Sequence, residues 1–261
     1  MAVPQLSVRQ RHIMALIEAD GAQQIEDLAQ RFGLTTQTIR RDINVLCDLG
    51  QARRFHGGVD LPVMSRNISV NARSQLNSSA KRRIALYIAS QITDGSTVFL
   101  GIGSTVQFVA AALRERSGLT VVTNNIDVAR TLGEAPDVEL HLTGGIWRAN
   151  DQDVVGPDAV KFFGKFYASF AVIGAGSLSA EHGVLDFSYG EAQIANAIIE
   201  NSRVRFLAAD FSKWGRDASI RVAPFDQFTH LVTDRKPDDA AAQTALQQSG
   251  VKVVVCDEAV A

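Results

Sequence analysis

The first part of the chain places apolar residues at the spacing of amphipathic helices. One predicted helix carries Ile13 and Ile17 on the same face, and a second spans Ile25–Phe32. Gly33 follows as a tight turn, and Thr35 stands where the N-cap of a third helix belongs. The apolar stripe of that third helix consists of Ile39, Ile43 and Leu46. A helix, a tight turn and a second helix make a helix-turn-helix, so the pattern predicts one here.

Two short extended pieces follow this segment. Gly21 and Gly50 are predicted to end the first and third helices, because glycine is the usual residue just after a helix. The extended pieces lie at residues 51–55 and around Val59, and Gly57 separates them. The pattern therefore predicts a β-hairpin wing beside the helices, which completes a winged helix-turn-helix over residues 1–59.

The pattern changes after residues 60–79, a polar stretch that contains Pro62 and is predicted to be a linker. Short apolar runs then alternate with helical stretches such as Val106–Leu113 and Glu191–Asn201. The runs are Thr97–Leu100, Thr120–Val122, Val138–Leu142, Phe170–Ile173, Val204–Ala208, His230–Val232 and Val251–Val255. Continuous apolar strands that alternate with helices are typical of a mostly parallel sheet covered on both faces. We therefore expect an α/β domain over residues 80–261.

Composition limits the classes of protein that remain. The chain has 261 residues, 46% of them hydrophobic and 21% charged, with a net charge of −2, so it lacks a uniformly basic surface. Any nucleic-acid binding must rest on a local cluster of charge. Cys47 and Cys256 have no metal-ligand spacing, and we expect neither a disulfide framework, a metal site nor a cofactor. No signal-peptide pattern opens the sequence and no apolar run approaches ~20 residues, so we expect a cytoplasmic protein.

The third helix and the wing supply such a local cluster. Gln37, Arg40, Arg41 and Asn44 fall away from the apolar stripe, and these residue types hydrogen-bond to base edges in the major groove. The DNA-binding candidates are Thr35, Thr36, Gln37, Thr38, Arg40, Arg41 and Asn44 on the helix, and Arg53, Arg54 and His56 in the wing. From the pattern alone, a solvated helix face with two arginines is an equally good interpretation.

Five of the predicted strands are followed by small, polar, glycine-rich segments. A helix that begins at Ser104 presents its N-terminus to an anion, and Lys213 supplies a positive charge. The effector-binding candidates are Gly103, Ser104, Thr105, Thr123, Asn124, Asn125, Gly144, Gly145, Gly174, Asp186, Glu191, Asp210 and Lys213. The spacing fits neither a dinucleotide fingerprint nor a Walker loop. The segments favour a site for a small polar anion, although each glycine alone is ordinary turn chemistry.

Both halves carry longer motifs. Residues 36–43 (TQTIRRDI) and 54–58 (RFHGG) resemble the N-terminal motif of the DeoR family of regulators. The runs GIGST, VTNN and LTGG, together with residues 183–191 and 210–213, are similar to the sensor domain of that family. The resemblance implies DNA binding and a C-terminal domain that is related in fold to sugar-phosphate isomerases and CoA transferases. It also implies that this domain binds phosphorylated sugars as inducers.

The resemblance narrows the expected function. Residues 197–203 and 210–216 are similar to family members that respond to glycerol 3-phosphate, which makes this metabolite the leading inducer. Gly101 and Ala195 depart from the Asp and Lys of many relatives, which keeps another sugar phosphate open. We expect a homo-oligomeric repressor of a carbohydrate or glycerol catabolic operon, with activation as an alternative. The rival class is an enzyme similar to a phosphosugar isomerase, with Glu191, Asp210 and Lys213 as its acid-base set.

Overall fold

The computed structural model describes residues 6–20, 22–49, 52–55, 57–60 and 70–256. These divide into two compact units. The described residues of Met1–Met64 and Gln75–Ser79 form the N-terminal unit. Those of Ser65–Ser74 and Ala80–Ala261 form the C-terminal unit.

The N-terminal unit is a winged helix-turn-helix, as the pattern predicts. Its elements are α1 Val8–Asp20, β1 Gln23–Gln24, α2 Ile25–Phe32, α3 Thr36–Asp48, β2 Arg53–Phe55 and β3 Gly58–Asp60. The strands pair antiparallel in the order β1-β3-β2, so the wing gains a strand that the sequence did not suggest. The predicted stripe of α3 is fully buried and packs with Ile13 and Ile17 of α1. Gly21 and Gly50, the predicted helix ends, lie outside the described residues.

The C-terminal unit combines helices with parallel and antiparallel strands. The helices that lie wholly or mostly in it are α4 Val70–Gln75, α5 Ser78–Gln91, α6 Ser104–Ala112, α7 Ile126–Leu132, α8 Pro157–Phe163, α9 Tyr189–Glu200 and α10 Ala240–Ser249. Its strands are β4 Thr97–Leu100, β5 Leu119–Thr123, β6 Val138–Leu142, β7 Ile146–Arg148, β8 Asp153–Val155, β9 Ala168–Ile173, β10 Ser177–Ser179, β11 Gly183–Asp186, β12 Ser202–Ala208, β13 Ile220–Ala223, β14 His230–Thr233 and β15 Lys252–Val255. None of these described helices, nor those of the N-terminal unit, is long and apolar enough to cross a membrane.

One parallel sheet organises this unit. Its strand order within the described residues is β15-β14-β12-β9-β4-β5-β6, and every pairing is parallel. All the apolar runs singled out in the sequence lie in it. Successive side chains of a strand point to opposite faces, and each face has its own apolar cluster. Phe99 packs with Phe163 of α8, whereas its neighbour Val98 packs with Ile84 and Ile88 of α5. The middle of the sheet is thus buried on both faces, which explains why central strands such as β4 and β9 are almost continuously apolar.

Two antiparallel pieces flank the strand ends, and neither is predicted by the sequence pattern. Strands β10, β11 and β13 form a small sheet, with β11 between the other two. Strands β7 and β8 form a hairpin in which Arg148 faces Asp153. Both pieces lie directly after strands of the parallel sheet, where they add side chains to its carboxyl edge.

The stretch predicted to be a linker differs from that expectation over its second half. Residues 70–75 form α4, and Val70 is fully buried. The N–H of Val70 donates to the carbonyl of Asn150 at 3.0 Å, and Arg73 Nη2 donates to Asp151 Oδ1 at 2.7 Å. Residues 61–69 lie outside the described residues. Helix α4 is therefore anchored mainly by the ion pair of Arg73 and by Val70, and it has no apolar stripe that the sequence pattern could reveal.

Candidate functional site

Helix α3 begins where the sequence predicts. Gly33 has φ 64°, the left-handed conformation that ends α2 and turns the chain. Thr35 then has extended backbone angles, and its hydroxyl accepts a hydrogen bond from the N–H of Thr38 at 3.3 Å. This bond satisfies one of the free amides of the first helical turn. Thr35 and Thr38 therefore serve first as a cap that sets the start of the helix.

The exposed face of α3 presents the predicted base-reading residues together. Gln37, Arg40, Arg41 and Asn44 are all exposed, and Thr36 is half-buried at the start of the same helix. In the wing, Arg54 on β2 is exposed, and Arg53 lies on the same strand. His56 lies outside the described residues. The amide and guanidinium groups on this face match the hydrogen-bonding edges of adenine and guanine.

A buried carboxylate of α3 has a role that the sequence did not reveal. Asp42 is 6% exposed and points away from the polar face. Arg9 Nε of α1 donates to it at 2.6 Å, and Gln10 Nε2 donates at 3.3 Å. Asp42 therefore fixes the position of α3 against α1. Counting charges along the sequence treats Asp42 only as a reduction of local positive charge.

The C-terminal unit has a cavity at the carboxyl edge of its parallel sheet. The predicted ligand loops follow β12, β9, β4, β5 and β6, and these five strands are consecutive neighbours in the sheet. Because parallel strands end at the same edge, the loops lie side by side, as the rule for open α/β sheets requires. The cavity holds about 610 Å³ of empty space, counting its open mouth, which is room for a small molecule. It is lined by Arg73, residues 101–105 and 173–176, Asp186, Glu191, Ile194, Ala195, Ile198 and Lys213.

Helix α6 points its N-terminus into this cavity. Ser104 and Thr105 form its first turn, and both are nearly fully buried in the cavity wall. Gly103, the N-cap, has φ 119°, which strongly favours glycine. At Gly174 on the neighbouring loop, an added Cβ would lie 3.0 Å from the carbonyl of Ile102, so the two loops approach closely. The backbone amides of the first turn of α6 thus form one wall of a site suited to an anion.

Lys213 brings a buried cation to the same cavity. Its residue is 8% exposed, and within the described part of the chain its ammonium has no hydrogen-bond partner. Burial lowers the pKa of Lys213 well below its usual value; Arg216 lowers it further, whereas Asp210 opposes the shift. Asp210 itself does not line the cavity. Its carboxylate accepts a hydrogen bond from the N–H of Ser212 at 3.0 Å and caps the short helix Phe211–Lys213, so it positions the lysine.

Two carboxyl groups face the cavity from β11 and α9. Asp186 and Glu191 hydrogen-bond to each other, and burial together with Asp186 raises the pKa of Glu191 to about 9. Arg148 of β7 opposes that rise because it donates to Glu191, and it also donates to Asp153 at 2.6 Å and to Ser188 Oγ at 3.1 Å. The pair therefore holds a proton near neutral pH, so it offers both a donor and acceptors to ligand hydroxyls.

The remaining predicted effector residues lie outside the cavity and have structural contacts. The Thr123 hydroxyl donates to the carbonyl of Leu100 at 2.7 Å, and Asn124 Nδ2 donates to the carbonyl of Val154 at 2.9 Å. Asn125 caps α7 through its side-chain oxygen. Gly144 and Gly145 form the turn into β7, and at Gly145 a Cβ would lie 2.6 Å from the carbonyl of Val155. These residues support the loops, and the structure does not bring them to the cavity.

Two arginines at the site were missed by the sequence reasoning. Arg73 lines the cavity from α4, inside the stretch predicted to be a linker. Arg148 holds Glu191 from the hairpin that follows the LTGG run. Arg148 was detectable in principle, because it comes three residues after a predicted ligand loop. Arg73 had no such signal.

The folds and the two sites together define a regulator class: a winged helix-turn-helix joined to an α/β domain with a small-molecule cavity. A family profile described as the DeoR-like helix-turn-helix domain matches residues 9–63. A second profile, described as the DeoR C terminal sensor domain, matches residues 76–235. The chain belongs to the DeoR family, and the resemblance carried by its motifs is confirmed.

Full-length relatives are named as repressors. The glycerol-3-phosphate regulon repressor of Escherichia coli (strain K12) is 36% identical over 249 residues, covering 95% of this chain and 98% of that protein. The HTH-type transcriptional repressor CsqR of the same strain is 32% identical over 260 residues, covering 99% of each. Among solved structures, ribose 5-phosphate isomerase A from Methanocaldococcus jannaschii is 14% identical with a TM-score of 0.40, covering 54% of this chain and 56% of that one.

Proposed function

We propose that this protein is a transcriptional repressor of a carbohydrate or glycerol catabolic operon, released from operator DNA by a phosphorylated metabolite. It acts in the cytoplasm as a homo-oligomer, because paired reading heads suit paired half-sites. The observation that carries the proposal is the buried ammonium of Lys213 beside the N-terminus of α6, in the same chain as an exposed face of Gln37, Arg40 and Arg41. One site is built for an anion and the other for DNA.

The cavity favours glycerol 3-phosphate as the metabolite. Lys213, Arg73 and the amides of α6 supply positive charge for a phosphate, and Asp186 and Glu191 supply partners for hydroxyls. The cationic groups come from α4, the first turn of α6 and the loop after β12, whereas the carboxyl groups come from β11 and α9. Three of the similar proteins are named glycerol-3-phosphate regulon repressors. Gly101 and Ala195 both line the cavity, where their small size leaves space.

The proposal is tested by one combined binding experiment on the full-length chain. DNA selected from a random duplex library serves as the probe, and glycerol 3-phosphate is titrated into the complex while glycerol and inorganic phosphate are titrated separately. We expect glycerol 3-phosphate to release the DNA and the other two compounds to have little effect. Arg40→Ala combined with Arg41→Ala should lower DNA affinity by roughly a hundredfold, since each base contact contributes ~1–3 kcal/mol.

The Lys213→Met variant tests ligand binding in the cavity separately from DNA binding by α3. It should leave DNA affinity unchanged without ligand and weaken glycerol 3-phosphate binding about 10- to 100-fold, the effect of losing a charged hydrogen bond worth ~1.5–3 kcal/mol. Lys161→Met on α8 is the matched control, because Lys161 is exposed and outside the cavity. Equal ligand affinity of the two variants would remove Lys213 from the site. Turnover of a sugar phosphate by the wild-type protein would overturn the assignment as a regulator without catalytic activity.

A further inference from the structure

Strand β6 is one edge of the parallel sheet, and among the described residues no strand pairs with its outer side. The N–H of Thr143, the residue after β6, donates to the carbonyl of Thr123 at the end of β5. Backbone groups of successive strand residues point alternately to the two sides. The N–H and C=O groups of Val138, Leu140 and Leu142 therefore point outward, away from β5.

We propose that β6 is a self-association surface, on which β6 of a second copy of this chain pairs antiparallel about a two-fold axis at Leu140. This inference rests on the proposal that the protein binds DNA as a homo-oligomer. In this register, Leu140 is opposite Leu140 of the second copy, and Val138 is opposite Leu142. Each of these residues directs its backbone groups outward, which is what the hydrogen-bonded pairs of an antiparallel ladder need. The two parallel sheets then become one continuous sheet.

The polar side chains of Glu139 and His141 on β6 complement each other in this register. Glu139 and His141 lie on the same face of the strand, with Oε1 and Nε2 3.0 Å apart. Glu139 is then opposite His141 of the second copy, at a position without backbone bonds where the side chains are closest. The symmetry creates this contact twice. Pairing centred on Glu139 or on His141 would instead place like residues opposite each other, so the charges select the register that the backbone groups allow.

The exposed residues beside this edge are those that a second copy would cover. Leu142 is 42% exposed, and the chain continues into β7 with Ile146 at 65% and Trp147 at 48%. Large apolar side chains that stay exposed on a surface are typical of an interaction site. The opposite edge differs: β15 begins with the exposed Lys252, and a charged lysine is a common protection of a free edge. Strand β6 also carries the exposed Glu139, but in this register its carboxylate lies opposite His141 of the second copy.

Sedimentation velocity of the full-length chain in the micromolar range, without DNA, tests the proposal. We expect the wild type to be a dimer or a larger assembly built from it. His141→Glu should raise the dissociation constant about tenfold or more, because facing carboxylates replace both opposite-charge contacts. Adding Glu139→Lys to His141→Glu should bring the constant back to within about threefold of wild type, since the charge pairs re-form with reversed sign.

A second pair of variants tests the backbone contacts. Leu142→Pro removes an outward N–H, a change that edge strands tolerate, and should dissociate the assembly. Leu142→Ala keeps that N–H and should weaken the assembly less than Leu142→Pro does. Circular dichroism confirms that each variant is folded. A monomeric wild type, or a dissociation constant that none of these changes moves, would overturn the proposal. Glycerol 3-phosphate titration of the same variants keeps the two hypotheses apart, because a failed interface with intact ligand release leaves the repressor assignment standing.

Discussion

At the scale of single residues, the cavity depends on charges that are held away from water. Glu191 is 3% exposed and lies between a second carboxyl group and the guanidinium of Arg148. Two buried carboxyl groups in contact resist losing both protons, because the second negative charge is destabilised by the first. The raised pKa of Glu191 is the result. Near neutral pH, the site therefore contributes a neutral hydrogen-bond donor that a surface glutamate would not provide.

This proton predicts how stability varies with pH. The pKa of Glu191 is about 9 in the folded chain and about 4.3 in an unfolded one, so between these values only the folded state holds the proton. The free energy of unfolding should therefore fall as the pH rises from about 5 to about 9. Glu191→Gln lacks this titration, so its melting temperature should change less with pH over that range. The difference from the wild type should be roughly 2–4 °C for each kcal/mol of stability that the proton on Glu191 contributes.

Differential scanning calorimetry at a series of pH values measures the effect. Glu134→Gln is the control, because Glu134 is exposed and outside the cavity, and it should follow the wild type. Parallel melting curves for the wild type and Glu191→Gln would show that Glu191 titrates normally.

At the scale of elements, the sequence predicted those parts whose burial follows a simple period. The central parallel strands are largely apolar because helices cover both faces, and α2 and α3 have one-sided stripes and a cap. The antiparallel pieces β7–β8 and β10–β11–β13 were not predictable. Their strands have only three or four residues, too few to show a period, and β13 pairs with a strand that is distant in the chain.

The difference between local and distant sequence signals also explains which residues of the cavity could be predicted. Residues supplied by the loop after one strand, such as Gly103 and Gly174, were predictable from local sequence. Asn124 and Asn125 have equally polar sequence, but their side chains bond to the backbone of β8 and of the first turn of α7. Local sequence does not distinguish a side chain that faces a ligand from one that supports the loop. Arg73 was missed because it reaches the cavity from another part of the chain.

The N-cap of α3 gives a prediction at this scale. Thr35→Ala removes the hydroxyl that accepts from the N–H of Thr38, and such losses cost ~1 kcal/mol. Hydrogen exchange of the full-length chain should show amides of α3 exchanging about fivefold faster, with α5 unchanged. Thr35→Ser keeps the acceptor and should exchange like the wild type. If Thr35→Ala protects α3 as well as Thr35→Ser does, the cap contributes nothing to the helix.

At the scale of the whole molecule, α4 connects the two functions along the chain. It follows the winged helix-turn-helix in sequence, and its Arg73 lines the cavity. Arg73 is held by Asp151, and its carbonyl accepts a hydrogen bond from Lys81 of α5. Burial lowers the pKa of Lys81 to about 8, although Asp210 opposes the shift. We propose that a ligand bound to the Arg73 guanidinium competes with Asp151 for it, and so acts on the segment that leads back along the chain to the DNA-reading unit.

Asp151→Asn tests this connection. Asp151 does not line the cavity itself, so the variant should bind ligand at least as tightly as the wild type, because Asp151 no longer competes for Arg73. It should bind DNA normally without ligand. The ratio of DNA affinities with and without glycerol 3-phosphate should fall several-fold, because allosteric coupling is typically worth only ~1–3 kcal/mol. Asp94→Asn, which alters an exposed ion pair with Arg116, is the control. Equal ratios for both variants would show that coupling does not depend on Asp151.

The placement of the cavity on strand ends has a consequence for how such proteins diversify. The apolar side chains that hold the sheet together face the helices, whereas part of the cavity lining, including residues 101–103 and 174–176, belongs to loops beyond the strands. We expect substitutions at a loop position such as Gly101 to change the preferred ligand with little effect on the packing of the strands. Gene duplication followed by changes at such positions offers a route to a regulator of a new nutrient. The same property makes this domain a practical starting scaffold for engineered metabolite biosensors.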